Sequence, residues 1–143
     1  FWTGLAEHLQ ANNSRLRSQK PFPQHWTHFG IGRSGFLSSA ILNTSDNILG
    51  AEIYINHDDA KAFFADLEAQ KSEIEEELGF ALDWRELPGR KGCRILVEKS
   101  ISEPLDEDQW PQFYMWLQDK LEAFQRVFRP RIRRIDLSVS DAG

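Results

Sequence analysis

Three glycines enclose a cation and a hydroxyl in the run Gly30-Ile31-Gly32-Arg33-Ser34-Gly35-Phe36. Glycine has no Cβ, so the backbone there can take positive φ or press close to another group. Such a loop can present backbone N–H groups and a guanidinium to a phosphate or a carboxylate. It reads better as a hairpin turn that joins two strands, with Arg33 displayed at its tip. The run lacks the Gly-Lys-Ser/Thr ending of a nucleotide loop, and no helical pattern opens behind it to aim a dipole at phosphate. Ser34 does not sit in a Gly-x-Ser-x-Gly elbow, because the residues after it read as strand.

Cations cluster elsewhere too. Arg126, Arg129, Arg131, Arg133 and Arg134 crowd one stretch, and Arg85, Arg90, Lys91, Arg94 and Lys99 mark a second. The chain as a whole carries a formal charge of -5, so it is not basic overall. Basic groups interleaved with aromatics are what a nucleic-acid groove uses, and Trp26, Tyr54 and Trp84 are candidate stacking surfaces. On this reading Arg33, Ser34, Arg90, Lys91 and Arg94 contact phosphate, with Arg129, Arg131 and Arg133 as a second patch. The competing reading places the aromatics in the core and pairs the arginines with two acidic blocks. These are Glu73, Glu75, Glu76 and Glu77, and then Glu103, Asp106, Glu107 and Asp108.

Other chemistry is weaker. His25 and His28 are three apart, which puts them on opposite faces of a regular strand. His8 and His57 have no partner at ligand spacing, so no metal site and no cofactor is expected. Cys93 lies among cations that favour a thiolate, but a lone cysteine at a strand start reads better as a small, partly buried residue. Glu52 and the adjacent Glu98-Lys99 come nearest to a metal-dependent nuclease core, yet neighbours in a strand face opposite sides. No catalytic residue is assigned. An enzyme using Ser34, Glu52 or His28 would need those side chains to converge.

The elements that carry these residues read as follows. Trp2, Leu5 and Leu9 recur at helical spacing, and the Pro21-Phe22-Pro23 run stops that helix. Residues 26–31, 36–42 and 48–56 read as three strands of an antiparallel meander, with Ala51, Ile53 and Ile55 on one face and Glu52 and Tyr54 on the other. Asp58 or Asp59 opens a helix whose stripe runs from Ala60 to Leu78, and Gly79 stops it. Residues 82–86 and 94–99 form a hairpin around a Pro-Gly turn. Asp106 or Asp108 opens a last helix with Trp110, Phe113, Tyr114, Leu117, Leu121, Phe124 and Phe128 along one stripe. Pro130 is expected to interrupt it, and residues 132–139 alternate as a short strand or ordered tail. The fold class is α+β: a mainly antiparallel five-stranded sheet with three helices on one face, in the order α-βββ-α-ββ-α.

The 143 residues make one ordinary domain. With Cys93 as the only cysteine, no internal disulfide is possible, and a cytoplasmic location is expected. The start at Phe1 inside an amphipathic pattern reads as a domain cut from the C-terminal part of a larger protein. The stripe of the last helix, widened by Met115 and Trp116, suits docking on another domain or a homodimer.

The string Trp26-Thr27-His28-Phe29-Gly30-Ile31-Gly32-Arg33-Ser34-Gly35-Phe36, followed by Ala51-Glu52-Ile53-Tyr54-Ile55, Ala60-Lys61-Ala62-Phe63-Phe64, Leu82-Asp83-Trp84-Arg85-Glu86-Leu87-Pro88 and Phe128-Arg129-Pro130-Arg131, resembles a bacterial and archaeal domain family of unknown function. The resemblance covers essentially the whole chain. It implies an accessory module lying C-terminal to a restriction-endonuclease-like nuclease domain, in DNA processing or in defence against foreign DNA. DNA and that nuclease-like domain are then the expected partners, with no membrane. The family supplies no catalytic residues to carry over.

Overall fold

Alternating apolar residues build the meander first. β1 (Trp26–Gly30), β2 (Phe36–Asn43) and β3 (Ile48–Ile55) pair antiparallel in sequence. β4 (Asp83–Arg85) and β5 (Cys93–Ser100) form the expected hairpin, and β5 docks antiparallel on β3 to give the order β1-β2-β3-β5-β4. These elements come from a computed structural model that describes residues 1–17 and 19–135.

The register divides the sheet into two faces. Phe29, Phe36, Ala40, Leu42, Leu49, Ala51, Ile53, Ile55, Cys93 and Ile95 share one face and join the core. Trp26, His28, Ile41, Glu52, Tyr54 and Arg94 occupy the other. Among the described residues the helices pack on the first face, and the second carries charges.

Among the described residues there are four α-helices: α1 (Trp2–Ala11), α2 (Ala60–Glu68), α3 (Lys71–Leu78) and α4 (Trp110–Arg134). The stripe from Ala60 to Leu78 was expected as one helix. It breaks at Ala69 and Gln70, where the Gln70 amide bonds the Leu67 carbonyl in a tightened turn. The break comes beside Lys71, the one polar position in the stripe. It lets α3 turn Ile74 and Leu78 inward. Gly79, at φ 86°, ends α3 in the left-handed region as its type allows.

α4 also departs from expectation. It runs through Pro130 without stopping, so residues 132–134 are helical rather than extended. Residues 136–139, the rest of the expected tail strand, lie outside the described residues. Proline removes one backbone donor, which leaves the Arg126 carbonyl without its intrahelical partner. Phe128 and Ile132, both fully buried on either side of Pro130, hold the helix together across it. Burial of each such side chain contributes roughly 1.5–3 kcal/mol, which offsets one lost bond. The N-terminal end is set by Asp106, whose carboxylate accepts the Asp108 amide at 3.0 Å in a 3-10 turn (Glu107–Gln109).

Phe63, Phe64, Phe124 and Phe128 fill the space between α2, α4 and the sheet. Phe124 and Phe128 meet edge to face, with centroids 5.5 Å apart. α1 crosses α4 where Tyr114 lies over Gly4: a Cβ on Gly4 would stand 2.2 Å from the Tyr114 hydroxyl. That hydroxyl donates to the Phe1 carbonyl, and burial pushes its pKa up to about 12. Among the described residues no helix is long and apolar enough to cross a membrane.

Candidate nucleic-acid interface

The last carbonyls of a helix lack donors of their own. At the end of α4 that need is met from the glycine loop. Arg33 donates Nη1 to the carbonyls of Ile132 and Ile135, at 3.1 and 2.6 Å, and its guanidinium lies 5.0 Å from the centre of the Phe63 ring. Arg33 is therefore not displayed at the tip of a turn. It folds back and fixes the loop to the helix, a fixed positive charge against the negative end of the α4 dipole.

The rest of the loop follows from that attachment. Gly32 takes φ +94° and faces Arg129 and Arg133, so closely that a Cβ would lie 3.2 Å from the Arg129 side chain and 3.3 Å from that of Arg133. Gln125 donates to the Gly30 carbonyl at 2.7 Å. The glycine loop thus forms one surface with Arg129 and Arg133.

A third segment completes it. After α1 the chain turns at Asn13, and the Ser14 hydroxyl donates to Glu122 on α4 at 2.8 Å. This brings Arg15 and Arg17 opposite Arg126 and Arg129 across a groove of about 820 Å³, floored by Gly30 and Gly32. Arg17 donates to the carbonyls of Ser14 and Leu16, which holds its stem in place. Among the described residues, Arg15, Arg17, Arg126, Arg129 and Arg133 have no carboxylate at ion-pair distance. Glu122, the acid in the groove, is engaged by Ser14 and by the Gln118 amide. Arg15, Arg17 and Arg126 were not among the residues singled out from sequence. Arg126 was visible in the arginine cluster, but Arg15 and Arg17 had no signal, because only the tertiary turn at Asn13 brings them to α4.

The other expected residues are dispersed. Arg131 points away from the groove to Glu77 and Gln70 on the α3 side, and the guanidinium holds the Glu77 carboxyl below its ordinary range. Ser34 is exposed on the loop, and Arg90 is exposed on the β4–β5 turn. Lys91 pairs with Asp58 at 3.2 Å, and Arg94 pairs with Glu52 at 2.6 Å. That turn stands at the same end of the sheet as the glycine loop, since β2 begins, β3 ends and β5 begins there. The segment carrying Asp58 and Asp59 follows β3 between them. Lys61 pins the turn from α2 by donating to the carbonyls of Glu86, Leu87 and Gly92. Cys93 is fully buried with its thiol facing the Ala60 carbonyl, and burial pushes its pKa up, which disfavours the thiolate.

His28 and Glu52 do converge on the open face of the sheet, both aligned with Ser39, while Ser34 is apart from them. His28 Nδ1 lies 2.7 Å from the Ser39 hydroxyl. Burial holds the imidazole below its ordinary pKa, partly opposed by the charge of Glu52. His25, just before β1, borders the same hollow as His28, so their spacing of three does not separate them.

Fold and groove define an α+β domain, a half-covered antiparallel sheet with an arginine-lined cleft beside its edge strand. The chain belongs to the DUF4268 family, a domain of unknown function, whose pattern matches residues 1–132. No curated protein matches it. Among solved structures it is similar to YbjN from E. coli, at 11% identity and a TM-score of 0.48, covering 93% of each chain. It is also similar to a chain of the ExsC–ExsE complex, at 14% identity and a TM-score of 0.31, covering 86% of this chain and 89% of that one. At these values nothing about function passes from either neighbour to this domain.

Proposed function

We propose that the domain is a non-catalytic nucleic-acid-binding module, and that the groove between residues 13–17, the glycine loop and α4 receives a phosphate backbone. The observation that carries this reading is the set of four guanidiniums, those of Arg15, Arg17, Arg126 and Arg129, that line one groove with no ion-pair partner among the described residues, on a chain of net charge -5. Arginines in a protein with an acid excess are expected to find carboxylates, as Arg94 and Arg131 do. Four guanidiniums line a cleft with one carboxylate, Glu122, so the cations there repel one another until a further anion neutralises them. A polyanion with regularly spaced phosphates meets that need, and a glycine floor lets the backbone approach it. The resemblance to a module that follows nuclease domains agrees with this role in DNA processing or defence.

Fluorescence anisotropy of labelled single-stranded and duplex DNA with the isolated domain at low salt tests the proposal. Binding of either is the expected result, and binding of neither overturns it. The docking and dimerisation reading depends on the width of the α4 stripe. Phe113, Tyr114, Leu117, Leu121, Phe124 and Phe128 are spent on the domain's own core, and Met115 is the large apolar side chain of α4 left exposed, at 64%.

A further inference from the structure

The uncovered face of the sheet holds a hollow of about 400 Å³ remote in character from the arginine groove. Its walls are Trp26, His28, Tyr54 and Ile41, and its polar end is the Glu52–Arg94 pair. Trp26 is 41% exposed, an unusual state for so large a ring on a sheet that has a core available on its other side. Its centroid lies 6.3 Å from that of His28, and the Ser39 hydroxyl fixes the His28 ring. Tyr54 is propped from below, because its ring and hydroxyl rest against Gly92, where a Cβ would intrude at 2.9 Å.

The polar end is built but incompletely used. Glu52 is only 8% exposed, and its Oε2 accepts from Arg94 Nε at 2.6 Å. Among the described residues its Oε1 has no hydrogen-bond partner, and neither do the two terminal nitrogens of Arg94. An acceptor and two donors therefore stand side by side at the margin of an aromatic hollow. Aromatic walls favour a flat π-system, and the paired charges favour an edge that offers N–H groups next to a carbonyl. The volume lies within the range of small-molecule pockets.

We propose that this hollow binds a guanine-type base, stacked on Trp26, with its ring N–H and amino group on Glu52 and its carbonyl on Arg94. The inference stands apart from the phosphate groove, since it uses none of the same residues. The base can belong to a free mononucleotide or to a single strand, and the chemistry of recognition is the same.

Titration calorimetry with GMP, AMP and the single-stranded pentamer TTGTT distinguishes the sources. GMP binding identifies a free nucleotide. Pentamer binding without GMP binding identifies a base within a strand. In either case Trp26→Ala, at an exposed position that leaves the core intact, is expected to weaken binding about tenfold. Glu52→Gln is expected to remove the preference for GMP over AMP, or for TTGTT over TTATT. Arg126→Ala with Arg129→Ala leaves GMP binding unchanged. Absence of binding by both GMP and the pentamer at millimolar concentration overturns the proposal. Binding unaffected by Trp26→Ala, or equal affinity for the guanine and adenine forms, overturns it as well.

Discussion

Gly32 stands so close to Arg129 that a Cβ at position 32 would lie 3.2 Å from both Cγ and Nε of that arginine. The contact joins the glycine loop to the helix that carries the cations, and it sets how Arg129 leans over the groove. Gly32→Ala meets two obstacles, the positive φ and the displaced arginine. Denaturant titration is expected to show a loss of about 1 kcal/mol or more. DNA affinity is expected to fall as well, as for the loss of about one phosphate contact.

Arg33 has a different job from its neighbours, because it holds the carbonyls at the end of α4. Arg33→Met should lower stability by about 1.5 kcal/mol, the range for charge-assisted bonds at a half-buried site. The salt dependence of DNA binding should keep its slope, measured on the fraction that stays folded. A shallower slope would instead place Arg33 among the phosphate contacts.

Glu75 links α3 to the β4 strand by accepting the Leu82 amide at 2.7 Å and the Trp84 indole N–H at 3.2 Å. The Leu82 bond holds its carboxyl below the ordinary value. A depressed folded pKa means the unfolded chain takes up the proton first. The stabilisation is therefore complete above the unfolded carboxylate pKa and is lost as pH falls through the folded one. Glu75→Gln should cost about 1 kcal/mol at neutral pH, discounted for partial exposure. Thermal melts across acid pH should show the two proteins converging as the carboxylate protonates.

Much of the fold was legible because its signals are local. Alternation in Ala51, Ile53 and Ile55 against Glu52 and Tyr54 gave both the strand and its faces, and Gly79 marked a helix end that is found where expected. Pro130 misled, since local propensity disfavours it in a helix while the burial of Phe128 and Ile132, a tertiary effect, outweighs that cost. The single stripe from Ala60 to Leu78 hid a break at Ala69 and Gln70 for the same reason. The site was legible only in part. The glycine loop and Arg129 with Arg133 were recognised separately, and nothing in their spacing showed that Gly32 would lie against both. Arg15 and Arg17 were invisible, because a turn at Asn13 and a bond from Ser14 to Glu122 bring them in. Arg131 pairs with Glu77 of the first acidic block, as the competing reading of the sequence has it, while Arg94 pairs with Glu52, which lies in neither block.

The central claim is that the cations around this groove neutralise phosphates. The most direct measurement is duplex DNA affinity against salt concentration for the wild-type domain and for Arg126→Ala with Arg129→Ala. The wild type should weaken steeply with salt. The double variant should bind more weakly at low salt, with a log–log slope shallower by about 2, one unit for each contact removed. Equal slopes for the two proteins would contradict the account.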